Sequence, residues 1–275
     1  MATPRLASAR LVAADGGPLR LDIRTAQRAG EKRPAVVICH GFKGFKSWGF
    51  FPKLAERLAV AGFTAISFNF SGSGVGEGEE FDEPDRWAHQ TPTADLGDLA
   101  TVCDYAVAEG SGWLGVVGHS RGGGLAALQA GRDPRVKALV TWAAIDHFVR
   151  WEDEAIARWR REGKIDVVNS RTGQVLTILR DALDDIDANR NALDIMAAAA
   201  RITAPWLIVH GTADAVVPVA VAHQLAAQSR SVRTDLFLPE GADHTFGIRH
   251  PWVASTVEFD AVQDSTVRHF ASHLQ

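Results

Sequence analysis

Residues 114–124, LGVVGHSRGGG, decide how the rest of the chain is read. A short apolar run ends in Gly-x-Ser-x-Gly, with Gly118, Ser120 and Gly122 in the fixed places, and the Ala- and Leu-rich segment 125–130 follows. That order describes a buried strand, a tight turn and a helix. A serine at such a turn presents its hydroxyl outward, and the first N–H groups of the helix face whatever the hydroxyl attacks. Glycines two residues before and two after it let strand and helix pass close to a strained turn. The competing reading is a glycine-rich turn with an incidental serine, so the partners of Ser120 must decide.

Outward from this stretch, an uninterrupted apolar run stands at 35–39 (AVVIC), and further strand-like, mostly apolar runs recur at 64–68 (TAISF), 136–142 (VKALVTW) and 205–209 (PWLIV), with DLFL at 235–238. Runs of this kind suit strands covered on both faces of a parallel sheet. Helical patterns lie between them at 51–61, 93–108 and about 121–131, and a last helix runs from about Val253. The fold class is therefore α/β, a doubly wound, mostly parallel sheet of about eight strands. Residues 17–25 alternate apolar and polar as a half-exposed edge strand does, in an antiparallel hairpin with the segment around 10–14. Residues 71–80 (SGSGVGEGEE) read as a flexible glycine loop at a strand end, and no helix follows directly to make it a phosphate cradle.

The strand–helix alternation breaks between about 145 and 201. Residues 151–161 put Trp151, Ala155, Ile156 and Trp159 on one helical face, and 166–179 read as a hairpin around 169–173. This insertion is too structured for a linker, and the reading is one domain, 1–275, with a cap over the carboxyl edge of the sheet. Three tryptophans, Trp142, Trp151 and Trp159, either form the core of that cap or line an acyl pocket.

Composition narrows the function. The chain has 275 residues, 46% hydrophobic, a net charge of −4 and a pI near 6.2. Nothing electrostatic suggests nucleic acid or an anionic membrane surface. No apolar block is long enough for a signal or a span, and Cys39 and Cys103 lie in apolar segments, so a cytoplasmic protein with reduced thiols is expected. No cofactor is implied and no metal-ligand spacing occurs; a site from Asp146, His147 and His244 has little to recommend it.

A serine hydroxyl needs a base, and the base needs an acid. Asp214 lies in HGTADAVVP (210–218) just beyond one late strand, and His244 lies in GADHTF (241–246) beyond the next. The order Ser120, Asp214, His244 is that of α/β-hydrolases. His40, His119 and His210 flank glycines at strand ends and read as structural hydrogen-bonders; Asp243, next to His244, is poorly placed to orient it.

With HGFKG at 40–44 and GHSRGG at 118–123, these motifs resemble the α/β-hydrolase superfamily, in the branch of dienelactone-hydrolase-like proteins and small bacterial serine esterases of the cinnamoyl or feruloyl type. The likeness runs from the strand at 35 to the final helix. It implies a serine esterase with an oxyanion hole on the backbone N–H groups of Phe42 and Arg121. Dienelactone hydrolases use a cysteine nucleophile, whereas this chain has Ser120, which favours ordinary ester chemistry. The glycine loop at 71–78 also departs from the family's Arg-Gly version. The expected partner is a small-molecule ester with an apolar or aromatic acyl group, cleaved by a monomer or homodimer. The alternatives are an aminopeptidase or acyl-peptide hydrolase, which would need an acidic site such as Glu152, Asp153 and Glu154, a non-catalytic ligand-binding member of the fold, or a lyase or perhydrolase on the same scaffold.

Overall fold

The computed structural model describes residues 4–26 and 33–274. Eight strands form one sheet in the order β1 (Arg5–Val12), β2 (Pro18–Thr25), β4 (Thr64–Asn69), β3 (Ala35–Cys39), β5 (Leu114–His119), β6 (Val136–Trp142), β9 (Trp206–Val209) and β10 (Thr234–Phe237). The first two strands run antiparallel to their neighbours, and every pair from β4 to β10 is parallel. The remaining two, β7 (Lys164–Val168) and β8 (Val175–Leu179), form a separate antiparallel ribbon.

Why the central strands read as unbroken apolar runs is plain from their two faces. In β3, Val37 and Cys39 enter one hydrophobic core while Val36 and Ile38 enter the other. The first core is closed by α3 (Pro92–Ala108), α4 (Arg121–Ala130), α7 (Ile195–Ala199) and α8 (Ala220–Gln228), the second by α1 (Phe51–Val60) and α9 (Val257–Ser272). Local chemistry sets the helix ends. The Thr91 hydroxyl accepts from the Ala94 amide at 3.2 Å with Pro92 as first helical residue, and Thr256 accepts from Phe259 at 3.1 Å.

A third core joins the cap to the body. Trp159 of α5 (Asp153–Glu162), Ile165 of β7, Leu176 and Ile178 of β8 and Leu183 of α6 (Asp181–Ala188) pack with Phe45, Val75, Phe81 and with Trp87 of α2 (Pro84–Ala88). The cap thus shares its interior with loops of the sheet domain. Its last stretch belongs wholly to the body, since Leu193, Ile195, Ala198 and Ile202 enter the α3–α4 core.

Two local expectations need correction. The strand at 18–25 is second in the sheet, and β1, with mostly exposed side chains, is the edge. The glycine loop is packed over its first half: Ser71, Ser73, Gly74, Val75 and Gly76 are buried, and α2 follows. Glycine content read there as looseness, but it serves close packing; a Cβ on Gly74 would meet Trp87 at 2.6 Å. No described helix is long and apolar enough to cross a membrane.

Candidate active site

Ser120 sits between β5 and α4 with φ 55 and ψ −119, a conformation an L-residue adopts only under constraint. The constraint is visible in the glycines. A Cβ on Gly118 would lie 2.1 Å from the Gly122 carbonyl oxygen, and one on Gly122 would lie 2.4 Å from the carbonyl oxygen of His40. Strand and helix therefore meet backbone to backbone at this turn. The Ser120 amide donates to the Trp142 carbonyl at 2.8 Å, and the Ser120 carbonyl accepts from Gly123 and Gly124 at 2.9 and 3.1 Å. The hydroxyl has no hydrogen-bond partner among the described residues.

Asp214 follows β9, and His244 follows β10. His244 Nδ1–H donates to Asp214 Oδ2 at 2.8 Å, which fixes the tautomer and leaves Nε2 as the acceptor. Asp214 Oδ1 accepts the amides of Val216 and Val217 at 2.8 and 2.9 Å, and His210 Nε2 approaches Oδ2 at 3.3 Å. Burial alone would raise this carboxyl, but the hydrogen bonds from His210, His244 and the Val217 amide hold it well below the usual carboxylate range. Asp243 faces elsewhere, its Oδ1 accepting the amides of Thr245 and Gly247 at 2.9 and 2.8 Å.

The glycine-flanking histidines tie the loops together. His119 Nε2–H donates to the backbone carbonyl of His244 at 2.9 Å, and burial lowers its pKa to about 3, so it stays neutral. His40 is likewise lowered to about 4 by burial, and its ring stands 2.9 Å from the Gly41 carbonyl. His210 is fully buried, with Nε2 also 2.8 Å from the Val217 carbonyl and Nδ1 unpaired.

The loop after β3 brings the Phe42 amide to the same region, and Arg121 opens α4. Neither amide donates to a protein acceptor among the described residues. The Arg121 side chain instead pairs with buried Asp95 of α3, Nε at 2.9 Å and Nη2 at 2.6 Å, beside the Phe148 ring.

Ser120 and His244 line one cleft of about 780 Å³. Its wall is not the one expected of the tryptophans. Trp142 lies in the α1–α9 core at 0% exposure, its indole N–H donating to Thr266 at 2.9 Å, because the Trp142 side chain takes the face of β6 opposite α4. Trp159 is buried in the cap core against Trp151, ring centroids 5.1 Å apart. Trp151 reaches only the edge of Phe42, at 6.1 Å. The apolar lining comes from Phe42, Trp48, Phe51, Val216 and Ile248, and the polar rim from Lys43, Asn169, Arg171, Arg249 and His250. Sequence reasoning missed all of these but Phe42. Lys43 and Arg249 had a signal, lying one residue past Phe42 and five past His244; the hairpin turn had none until the cap was folded onto the cleft. Glu152, Asp153 and Glu154 are exposed on the cap and do not line the cleft. Among the described residues, no group of three or more His, Cys, Asp or Glu side chains is set to hold a metal ion.

Comparison with known proteins supports the fold. The profile of the family described as alpha/beta hydrolase fold matches residues 34–165. The chain is 30% identical over 116 residues, 41% of its length, to an uncharacterized 31.7 kDa protein of the traX-finO intergenic region of Escherichia coli, and spans 38% of that relative. It is 25% identical over 243 residues to the 2,6-dihydropseudooxynicotine hydrolase of Paenarthrobacter nicotinovorans, covering 86% of this chain and 59% of that protein. The chain thus spans less than two thirds of these curated relatives. Among solved structures, Est1E of Butyrivibrio proteoclasticus with ferulic acid bound superimposes with a TM-score of 0.73 at 20% identity, over 97% of this chain and 99% of the other.

Proposed function

Taking as premise that the chain has the α/β-hydrolase fold, we propose that it is a serine hydrolase of carboxylic esters. Ser120 attacks the ester carbonyl while His244 Nε2 takes its proton, and Asp214 orients His244 and stabilises its charged form. The amides of Phe42 and Arg121 receive the oxyanion of the tetrahedral intermediate, a contribution of roughly 3–4 kcal/mol per donor in comparable sites. His244 then protonates the departing alcohol, and a water activated by the same base releases the acid from the acyl-enzyme.

The observation that carries this reading is the Asp214–His244 hydrogen bond opening onto a cleft shared with a strained, unpartnered serine. The absence of a Ser120–His244 hydrogen bond is compatible with it, because such contacts are often long before substrate binds. The apolar floor supports an apolar or aromatic acyl group, and ferulic acid bound to Est1E supports the same class. An aminopeptidase is disfavoured: the cleft lining holds no carboxylate to receive a free amino terminus.

Ser120→Ala tests the assignment. Hydrolysis of p-nitrophenyl butyrate is expected to fall about 10⁴-fold or more with the circular dichroism spectrum retained, and a fluorophosphonate probe to label only the parent protein. Full activity in the variant overturns it.

A further inference from the structure

Cationic side chains line the rim of the cleft, and the two acids that reach it, Glu79 and Glu80, stand against His250 at 3.3 Å and Arg171 at 3.4 Å. Lys43 comes from the loop after β3, Arg171 from the turn between β7 and β8, and Arg249 from the loop after His244. Two of these cations lack a counter-ion. Lys43 Nζ has the Val168 carbonyl at 3.3 Å and lies 6.0 Å from the Phe42 ring centroid, with no carboxylate partner among the described residues. Arg249 likewise has no ion-pair partner among them. Arg171 is engaged by Glu80 at 3.4 Å and by the Glu79 carbonyl at 3.2 Å, which fixes it at the rim.

Lys43 is the informative member. Its backbone is held at φ 57, directly after the Phe42 amide, so its position is set by the same turn that presents that amide. The side chain is half-buried, and burial lowers its pKa. A partly desolvated ammonium without a counter-ion is costly, and unpaired cations beside low-dielectric walls focus the field on anions. The arrangement fits an anion that arrives with the ligand.

We propose that Lys43, with Arg249, is a specificity-determining cation, and that the substrate is a carboxylic ester bearing a carboxylate elsewhere on the molecule. The inference rests on the serine-hydrolase reading above. The apolar floor takes the body of the substrate, and the carboxylate meets Lys43 at the rim. The charge can sit on the acyl chain, as in a half-ester of a dicarboxylic acid, or on the alcohol.

Three esters separate these cases: p-nitrophenyl butyrate, mono-p-nitrophenyl glutarate and 4-carboxyphenyl butyrate. The parent enzyme is expected to prefer at least one anionic ester over its neutral counterpart by about tenfold in kcat/KM, and which one identifies the side that carries the charge. That preference is expected to shrink as sodium chloride is raised, with neutral turnover insensitive to it. The anionic-to-neutral ratio should collapse in Lys43→Met, persist in Lys43→Arg and fall partly in Arg249→Gln. If Lys43 merely clamped the hairpin through Val168, both ester classes would be affected alike and the ratio would not move. An unchanged ratio in Lys43→Met, or equal turnover of all three esters by the parent enzyme, overturns the inference and leaves the serine reading standing. Turnover of none of them, with no probe labelling at Ser120, defeats the serine reading itself.

Discussion

The turn around Ser120 and the turn around Asn169 face each other across one cleft, and they are built in opposite ways. At the first, backbone touches backbone, and buried imidazoles at the ends of β3, β5 and β9 hydrogen-bond to the carbonyls of Gly41, His244 and Val217. At the second, a short ribbon carries exposed Val168 and Val175 outward and is held to the body by a shared apolar core and rim contacts from Lys43 and Arg171. From residue 145 to 188 the cap buries no ionised or imidazole side chain. The side that would do chemistry tolerates no added atom, while the side that would choose substrates is fixed mainly by side chains that can be exchanged.

The strongest way to break this contrast is Gly118→Ala. The new methyl would stand 2.1 Å from the Gly122 carbonyl, a backbone atom that cannot move without shifting α4. A loss of about 3 kcal/mol or more in urea unfolding is expected, with activity falling alongside it. A variant as stable and active as the parent would show that the elbow is not close-packed.

Acidification should act next, through histidines buried at the Ser120 turn and in α9. His40 and His269 are lowered by burial to about 4 and His119 to about 3, against an unfolded value near 6.5. Between those values the unfolded chain binds protons the folded one refuses, so stability present above about pH 6.5 is lost as pH falls through the folded values. Asp98, raised to about 7 by burial despite its bond from the Ser71 amide, and Asp95, raised by burial despite Arg121, act in the opposite sense. With His250 also lowered by burial, four histidines against two carboxyls leave a net loss of stability as pH falls from about 6 toward 4. Urea midpoints at pH 6.5, 5.5 and 4.5 measure it; midpoints that hold level or rise on acidification contradict it.

Arg171→Gln should do least. Its ion pair with Glu80 spans 3.4 Å with side-chain exposures of 25% and 65%, and such pairs contribute under about 1 kcal/mol. A loss above about 2 kcal/mol would mean that the cap is latched to the body far more tightly than its contacts suggest.

This contrast also explains what could be read from the sequence. Strands buried on both faces announce themselves as apolar runs, and a motif whose glycines answer backbone contacts has few substitutes, so β3, β5 and the elbow were legible without coordinates. The direction of Trp142 was hidden for a related reason: it shares a stripe with Ala138 and Val140, but nothing in the pattern says which layer of helices that stripe faces, and its ring enters the α1–α9 core. The cleft rim was illegible for a different reason. Asn169, Arg171 and Arg249 meet only after the ribbon folds back over loops that are distant in the chain, and each is an ordinary polar residue where it stands. Glycine was ambiguous as well, meaning close packing in 71–76 where openness was expected.

One consequence follows from where the strands join the sheet. The proposed nucleophile follows β5 near the middle of the sheet, but the proposed acid and base follow β9 and β10, which add in succession outside β6. During synthesis, a chain that has emerged as far as the cap already holds Ser120, yet has no imidazole opposite it. Hydrolytic competence would arrive late, when two short edge strands dock, and a nascent or truncated chain would be a chemically silent scaffold.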